Sequence, residues 1–172
     1  YFHARGFALD RNANFRRNGA ALFNWSNPLQ ENVEQVEVLK GPAGILFGDV
    51  EPGAVVNITT KRALPETYRR AELKVGEYGL YRPSLDVTGP VVSGGSLLYR
   101  LNASTERTRS FRDVVESESH FVSPVLTWLA NDRTTVSVEG SWQRDDRVGD
   151  PGIISPDGTV DGLNGVPVTR FL

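Results

Sequence analysis

Methionine and cysteine are both absent from the 172 residues, and histidine occurs only twice. With no methionine, Tyr1 is not a translation start, so the expectation is an interior piece of a longer protein. With no cysteine there are no disulfides, thiolate metal sites or cysteine nucleophiles. No uninterrupted apolar run approaches the roughly 20 residues that a spanning helix requires, which excludes a helical membrane protein. Charge of one sign is lacking as well: 19 basic against 21 acidic residues leave a net charge of -2. That balance offers no field for duplex nucleic acid, and no nucleic-acid partner is expected. Lysine is scarce, with three against 16 arginines. This bias suits bidentate pairing with carboxylates or anionic ligands, and codon composition alone would equally produce it.

Catalytic chemistry is just as thinly provided. His3 and His120 lie far apart without metal-ligand spacing, and no serine sits in a nucleophile-elbow context. Asp145-Asp146 and the stretch from Asp157-Gly158 to Asp161-Gly162 lack the full ligand set and closing glutamate of a calcium loop. They read as polar loop. The expectation is no enzyme, no catalytic residue, no metal site and no cofactor.

What is present falls into two parts, 1–63 and 64–172. In the first, glycine, asparagine and short apolar pieces alternate, with strands expected at Gln35 to Leu39 and Val55 to Thr60 between Gly-Pro and Pro-Gly turn signals. A small mixed α+β domain is the expectation. Beyond Leu64-Pro65 the pattern becomes period-two runs separated by polar turns, which is antiparallel β. Five runs are expected: Tyr68 to Tyr78, Leu80 to Val91, Ser96 to Arg107, Phe121 to Leu129 and Arg133 to Arg144. One face collects Ala71, Leu73, Val75, Leu85, Val87, Leu101, Leu126, Val136 and Val138, with Tyr81, Tyr99, Trp128 and Trp142 among them. The other carries Glu72, Lys74, Arg82, Asp86, Arg100, Asn102 and Glu139. The runs match the roughly 9 to 11 residues of a tilted membrane strand better than the usual soluble one. Short turns near Val92 to Gly95 and Asn131-Asp132 and longer links at Thr108 to His120 and beyond Asp145 suit an up-and-down barrel, although the link at Gly79 is tighter than that scheme predicts. Taken alone, these strands fit a lipid-facing barrel wall and a soluble antiparallel sandwich equally.

The stretch from Val33 to Arg62 separates the two. It reads as a strand, a Gly41-Pro42 turn, an apolar step Leu46-Phe47-Gly48, a Pro52-Gly53 turn and the strand Val56-Asn57-Ile58 closing on Lys61-Arg62. As a phosphate loop it fails, since no Gly-Lys-Ser or Gly-Lys-Thr follows. This order resembles the plug domain of TonB-dependent outer-membrane receptors, in particular the ferric-siderophore branch, and Arg5-Gly6-Phe7 resembles an upstream element of the same domain. Lys40 stands where the family usually has arginine, Phe47 where tyrosine is common, and Ala54 where a second glycine follows the turn.

The resemblance implies a plug remnant over 1–63 followed by about five strands, over 64–172, of a family barrel of about 22 strands, in the outer membrane of a Gram-negative-type cell. It implies a receptor and gated transporter for a ferric siderophore, in which iron is carried as chelated substrate. It also implies energy from a TonB-type inner-membrane partner, engaged through an upstream segment, and contact with outer-membrane lipid. By the same resemblance Arg5, Phe23 and Trp25 are candidate siderophore contacts at the plug apex, and Lys40 and Arg62 candidate ion-pair locks to the barrel. Gly41, Pro42, Phe47, Gly48, Pro52 and Gly53 carry the plug motif.

Overall fold

The computed structural model describes residues 3–10, 13–21, 31–41, 50–92, 94–111 and 115–148. It is made of strands: β1 (His3–Ala4), β2 (Phe7–Ala8), β3 (Phe15–Arg17), β4 (Ala20–Ala21), β5 (Val33–Lys40), β6 (Ala54–Thr60), β7 (Tyr68–Val75), β8 (Tyr81–Pro90), β9 (Leu97–Arg109), β10 (Glu116–Asn131), β11 (Thr134–Glu139) and β12 (Trp142–Arg147). A single 3-10 turn, Glu77–Gly79, is the one helical element among the described residues. The helical share of the expected mixed domain is therefore found in none of them. Where the amino-terminal part is described, its regular elements are β, and 42–49 lie outside the described residues. Two compact units divide the chain, Tyr1–Arg62 and Ala63–Leu172.

In the first unit a four-stranded sheet has the order β4-β3-β6-β5. Strand β6 lies inside it, parallel to β3 and antiparallel to β5. Its Ala54 and Val55 are essentially inaccessible, and Asn57, Ile58 and Thr60 are buried as well. Burial on both faces explains why this strand reads as an almost continuous apolar run instead of alternating. Strand β5 is an edge, with Val36 and Val38 about half exposed. Leu9, Phe15 and Ala54 form a small core with Ala4 and Val56 against it.

Asparagines hold this unit together. The fully buried Asn14 side chain donates to the Glu51 and Ala54 carbonyls at 3.0 and 2.8 Å and accepts from the Asp10 amide at 2.8 Å. Asn18 and Gly19 have φ of 51° and 83° and join β3 to β4 as a two-residue hairpin turn, the conformation that Asn-Gly favours because both positions need positive φ. The Asn18 side chain then bonds Thr60, its amide donating to Oγ1 at 2.8 Å and its oxygen accepting from the backbone at 2.9 Å.

The second unit is an antiparallel meander, β7-β8-β9-β10, with β11 and β12 both pairing β10. Strands β11 and β12 take successive halves of β10, Val125 to Asn131 and Ser117 to Val122. At the interruption the Gly140 amide donates to the Pro124 carbonyl, and Ser123 Oγ donates to the Gly140 carbonyl, each at 3.0 Å. The five expected runs correspond to β7, β8, β9, β10 and the interrupted β11–β12 pair. Their boundaries differ at one end of the sheet. The expected link from Thr108 to His120 contracts to 110–115, because β9 runs to Arg109 and β10 starts at Glu116. Glu116 to His120 carry no apolar residue to give a period-two signal, yet the ladder continues through them, Arg109 opposite Glu116 and Arg107 opposite Glu118. Likewise Asp145 and Asp146 belong to β12 and not to a loop. The tight link between β7 and β8 is the 3-10 turn, with Tyr78 and Gly79 at φ of 55° and 68°.

Candidate functional site

Strands β1 and β2 form a hairpin whose tip is Arg5-Gly6, since Ala4 pairs with Phe7. Both tip residues have positive φ, 52° and 83°. For arginine this backbone conformation is uncommon, and the side chain at such a tip points away from the ladder. Arg5 is exposed. Beneath the hairpin lies Gly53, at φ 118°, where a Cβ would come within 3.1 Å of the Ala4 carbonyl, 3.2 Å of Phe7 Cβ and 3.3 Å of Leu9 Cδ2. The glycine of the Pro52-Gly53 turn is thus required twice, by its dihedral and by the hairpin pressed on it.

Lys40 ends β5 opposite Ala54, the residue after Gly53. The hairpin carrying Arg5 and the end of β5 carrying Lys40 therefore meet at the same end of β6. Arg62 lies two residues beyond the other end, where Thr60 pairs with Val33. Across seven strand residues this is a separation of roughly 20 Å at about 3.4 Å per residue. The two candidate lock cations do not form one cluster. Both are exposed, as is Pro52, while Gly41 and Gly53 are half-buried. Phe23, Trp25, Pro42, Phe47 and Gly48 lie outside the described residues.

In the second unit the register sorts side chains into two opposed faces. Ala71, Leu85, Ala103, Val122 and Trp142 are successive ladder partners on one face, as are Tyr99, Leu126 and Val138. This apolar face is the open one: Trp128, Trp142 and Val138 are 54%, 56% and 66% exposed. The opposite face holds polar groups withdrawn from solvent, with Thr88, Asn102 and Ser123 at 0%. There Arg100 makes a two-pronged pair with Asp86, Nε to Oδ1 at 2.9 Å and a terminal nitrogen to Oδ2 at 2.8 Å. Arg82 pairs with Glu106 at 3.0 Å, and Thr88 Oγ1 donates to the Tyr99 carbonyl at 2.7 Å while accepting from the Leu64 amide at 2.9 Å.

Among the described residues no three histidine, cysteine, aspartate or glutamate side chains group to hold a metal ion. The arrangement suits binding and partition between media.

Sequence reasoning did not single out Asn14, Asn18 or the Asp86–Arg100 pair. For Asn18 a signal exists, the Asn-Gly dipeptide between Phe15-Arg16-Arg17 and Ala20-Ala21. Asp86 and Arg100 are not ladder partners, since Asp86 opposes Asn102 and Thr88 opposes Arg100. Their diagonal contact leaves no trace in spacing.

Residues 1–55 match the family model described as TonB-dependent Receptor Plug Domain. The chain is similar to the metal-pseudopaline receptor of Pseudomonas aeruginosa, 35% identical over 144 residues, which cover 84% of this chain and 20% of that receptor. It is also similar to the ferripyoverdine receptor of the same species, 30% identical over 156 residues, covering 86% and 19%. The chain thus spans about a fifth of the length of the curated relatives it matches. Among solved structures, the pyoverdine outer membrane receptor of P. aeruginosa bound to pyoverdine superposes with a TM-score of 0.76 at 30% identity, over 84% of this chain and 22% of that one. The ferric-catecholate import receptor of Escherichia coli K12 in its open form gives 0.76 at 26% identity, over the same shares.

Proposed function

We infer that this chain, which belongs to the TonB-dependent receptor family, is part of a Gram-negative outer-membrane receptor that imports an iron chelate. Residues 1–63 would supply the C-terminal part of the plug and 64–172 the first strands of the surrounding barrel. One observation carries this reading: the sheet of the second unit exposes its apolar face, with Trp128, Val138 and Trp142 more than half exposed, and withdraws from solvent the face on which Thr88, Arg100, Asn102 and Ser123 stand beside Leu98, Phe121 and Val125. A soluble sandwich would turn Leu126, Trp128, Val138 and Trp142 against a second sheet. A barrel wall turns them to lipid and reserves the polar face for the lumen.

Relatives named for pyoverdine and pseudopaline support a metal–siderophore complex as cargo, and receptors of this kind are transporters, not enzymes. The barrel of such a receptor needs about 22 strands around a plugged lumen, so transport belongs to a protein that contains more than these strands. Energy comes from a TonB-type inner-membrane partner engaged through a segment upstream of the plug. Binding precedes any movement of the plug, and here the charged apex does the recognising. Arg5, exposed on its hairpin tip, offers charge-assisted hydrogen bonds to an anionic chelate, with Phe23 and Trp25 as stacking partners. Lys40 and Arg62, at opposite ends of the β5–β6 ladder, serve as separate latches to barrel carboxylates.

In the full-length protein, Arg5→Ala and Trp25→Ala should each weaken ferric-siderophore affinity by about tenfold and slow uptake in parallel, measured with hydroxamate and catecholate chelates. Unchanged affinity and uptake in both variants ends the assignment of these contacts. Arg62→Glu should expose the plug to added protease, whereas digestion at the wild-type rate removes the latch.

A further inference from the structure

Asn18-Gly19 is a sequence prone to spontaneous loss of its side-chain amide, because glycine has no Cβ to hinder attack by its own backbone nitrogen. The reaction requires that the Gly19 amide give up its proton, that its nitrogen reach the Asn18 side-chain carbonyl carbon, and that water then enter. Both residues are exposed, so water is at hand. The other requirements are blocked. The Gly19 amide donates to Asn57 Oδ1 at 3.0 Å, and an amide held in this way surrenders its proton only when the bond opens.

The Asn18 side chain is tied at both ends to Thr60, its Nδ2 donating to Oγ1 at 2.8 Å and its oxygen accepting from the Thr60 amide at 2.9 Å. Its own backbone amide donates to the Ile58 carbonyl at 2.9 Å. Asn57 is buried and oriented in turn. Its Nδ2 donates to Glu37 at 3.1 Å, which leaves its oxygen as the end turned to Gly19. Strands β5 and β6 therefore clamp a turn that belongs to neither of them.

We propose that Asn18 is a self-modifying site, held closed by Asn57 and Thr60 while the sheet is intact and activated when β3 separates from β6. Once released, Gly19 loses its amide proton to solvent base, and its nitrogen attacks Asn18 Cγ. The new N–C bond closes a succinimide, the bond from Cγ to Nδ2 breaks, and that nitrogen leaves as ammonia after taking a proton from water. No electrons are lost or gained. Water then opens the ring, at Cγ to give aspartate or at the backbone carbonyl to give isoaspartate. Aspartate keeps the acceptor that the Thr60 amide uses. Isoaspartate adds a methylene to the main chain, which a two-residue turn with φ of 51° and 83° does not accommodate. The modified fraction thus records how long this sheet has stood open. The clamp follows from turn and sheet alone and goes beyond the receptor reading.

The test incubates the full-length protein in mildly alkaline buffer, folded in detergent or unfolded in guanidinium chloride, and digests it with pepsin in acid, which arrests the reaction. Mass spectrometry counts conversion at Asn18, and labelling by an isoaspartyl methyltransferase gives the isoaspartate share. The folded protein should convert at least about tenfold more slowly than the unfolded one. Asn57→Ala removes the acceptor from Gly19 and should raise the folded rate about tenfold, with hydrogen exchange along β6 showing that the sheet still forms. Glu37→Ala, at an exposed position on the edge strand, frees Asn57 to turn and should raise the rate several-fold. Equal rates in folded and unfolded wild type overturn the proposal. So does a folded Asn57→Ala that converts at the wild-type rate, and where that variant does not fold, Glu37→Ala at the wild-type rate overturns it in the same way.

Discussion

Asn14 makes three side-chain hydrogen bonds in a site with no solvent access, and its own carbonyl accepts from the Val56 amide at 2.8 Å. Replacement by alanine leaves the Glu51 and Ala54 carbonyls and the Asp10 amide without those partners. The Ala54 carbonyl is the buried one of the three, where an orphaned group costs about 1 to 3 kcal/mol, and the two part-buried groups add less. Asn14→Ala should therefore destabilise the first unit by about 3 kcal/mol, read as faster hydrogen exchange along β6, while Asn14→Asp should recover only the bond that the side-chain oxygen accepts. Nothing in the sequence ranks Asn14 above its neighbours, because two of its three side-chain partners, the Glu51 and Ala54 carbonyls, lie 37 and 40 residues away. Gly53 is the contrary case. Its Pro-Gly context announced a turn, and the structure added the steric reason, a hairpin packed where a Cβ would stand.

At the level of elements, the interior of β8 and β9 is governed by the Asp86–Arg100 pair, both members nearly buried. A paired buried charge contributes little net stability, but removing one member leaves the other without its counter-charge, at up to about 3 to 5 kcal/mol. Asp86→Ala should lower the denaturant midpoint of the full-length protein accordingly, and the double change Asp86→Leu with Arg100→Met should restore most of the loss. Equal losses in the single and double variants would show that the pair is not coupled. Period-two alternation made all five runs of this unit legible, because each residue's face follows from its parity. It failed at the start of β10, where Glu116-Ser117-Glu118-Ser119 is polar on both faces. There the strand persists through main-chain pairing and the Arg107–Glu116 and Arg109–Glu116 contacts at 3.5 and 3.9 Å. Alternation is blind to strands that rise out of an apolar medium.

For the molecule as a whole, the direction in which the apolar face looks is the decisive property. Leu126 is 47% exposed. If that face meets water, Leu126→Arg is a surface change worth within about 0.5 kcal/mol. If it meets acyl chains, the cost is about 2 to 4 kcal/mol near mid-depth. Refolding the full-length variant into lipid vesicles and titrating with urea distinguishes the two, and the larger penalty is expected. Strand faces were readable from sequence, but their outward direction was not, since sandwich and barrel share one pattern. The stretch from Val33 to Arg62, with its two strands and its glycine and proline turns, tipped that balance beforehand.

The buried polar groups and bare apolar stripe of this sheet also fix an order of events during biogenesis. In water the hydrophobic effect would favour aggregation through that stripe, so completed pairing of β7 through β12 is disfavoured wherever the apolar face meets water. The bilayer is the medium that makes this arrangement the low-energy one. Assembly rate should consequently follow the supply of accessible membrane more closely than it follows the intrinsic speed of strand pairing.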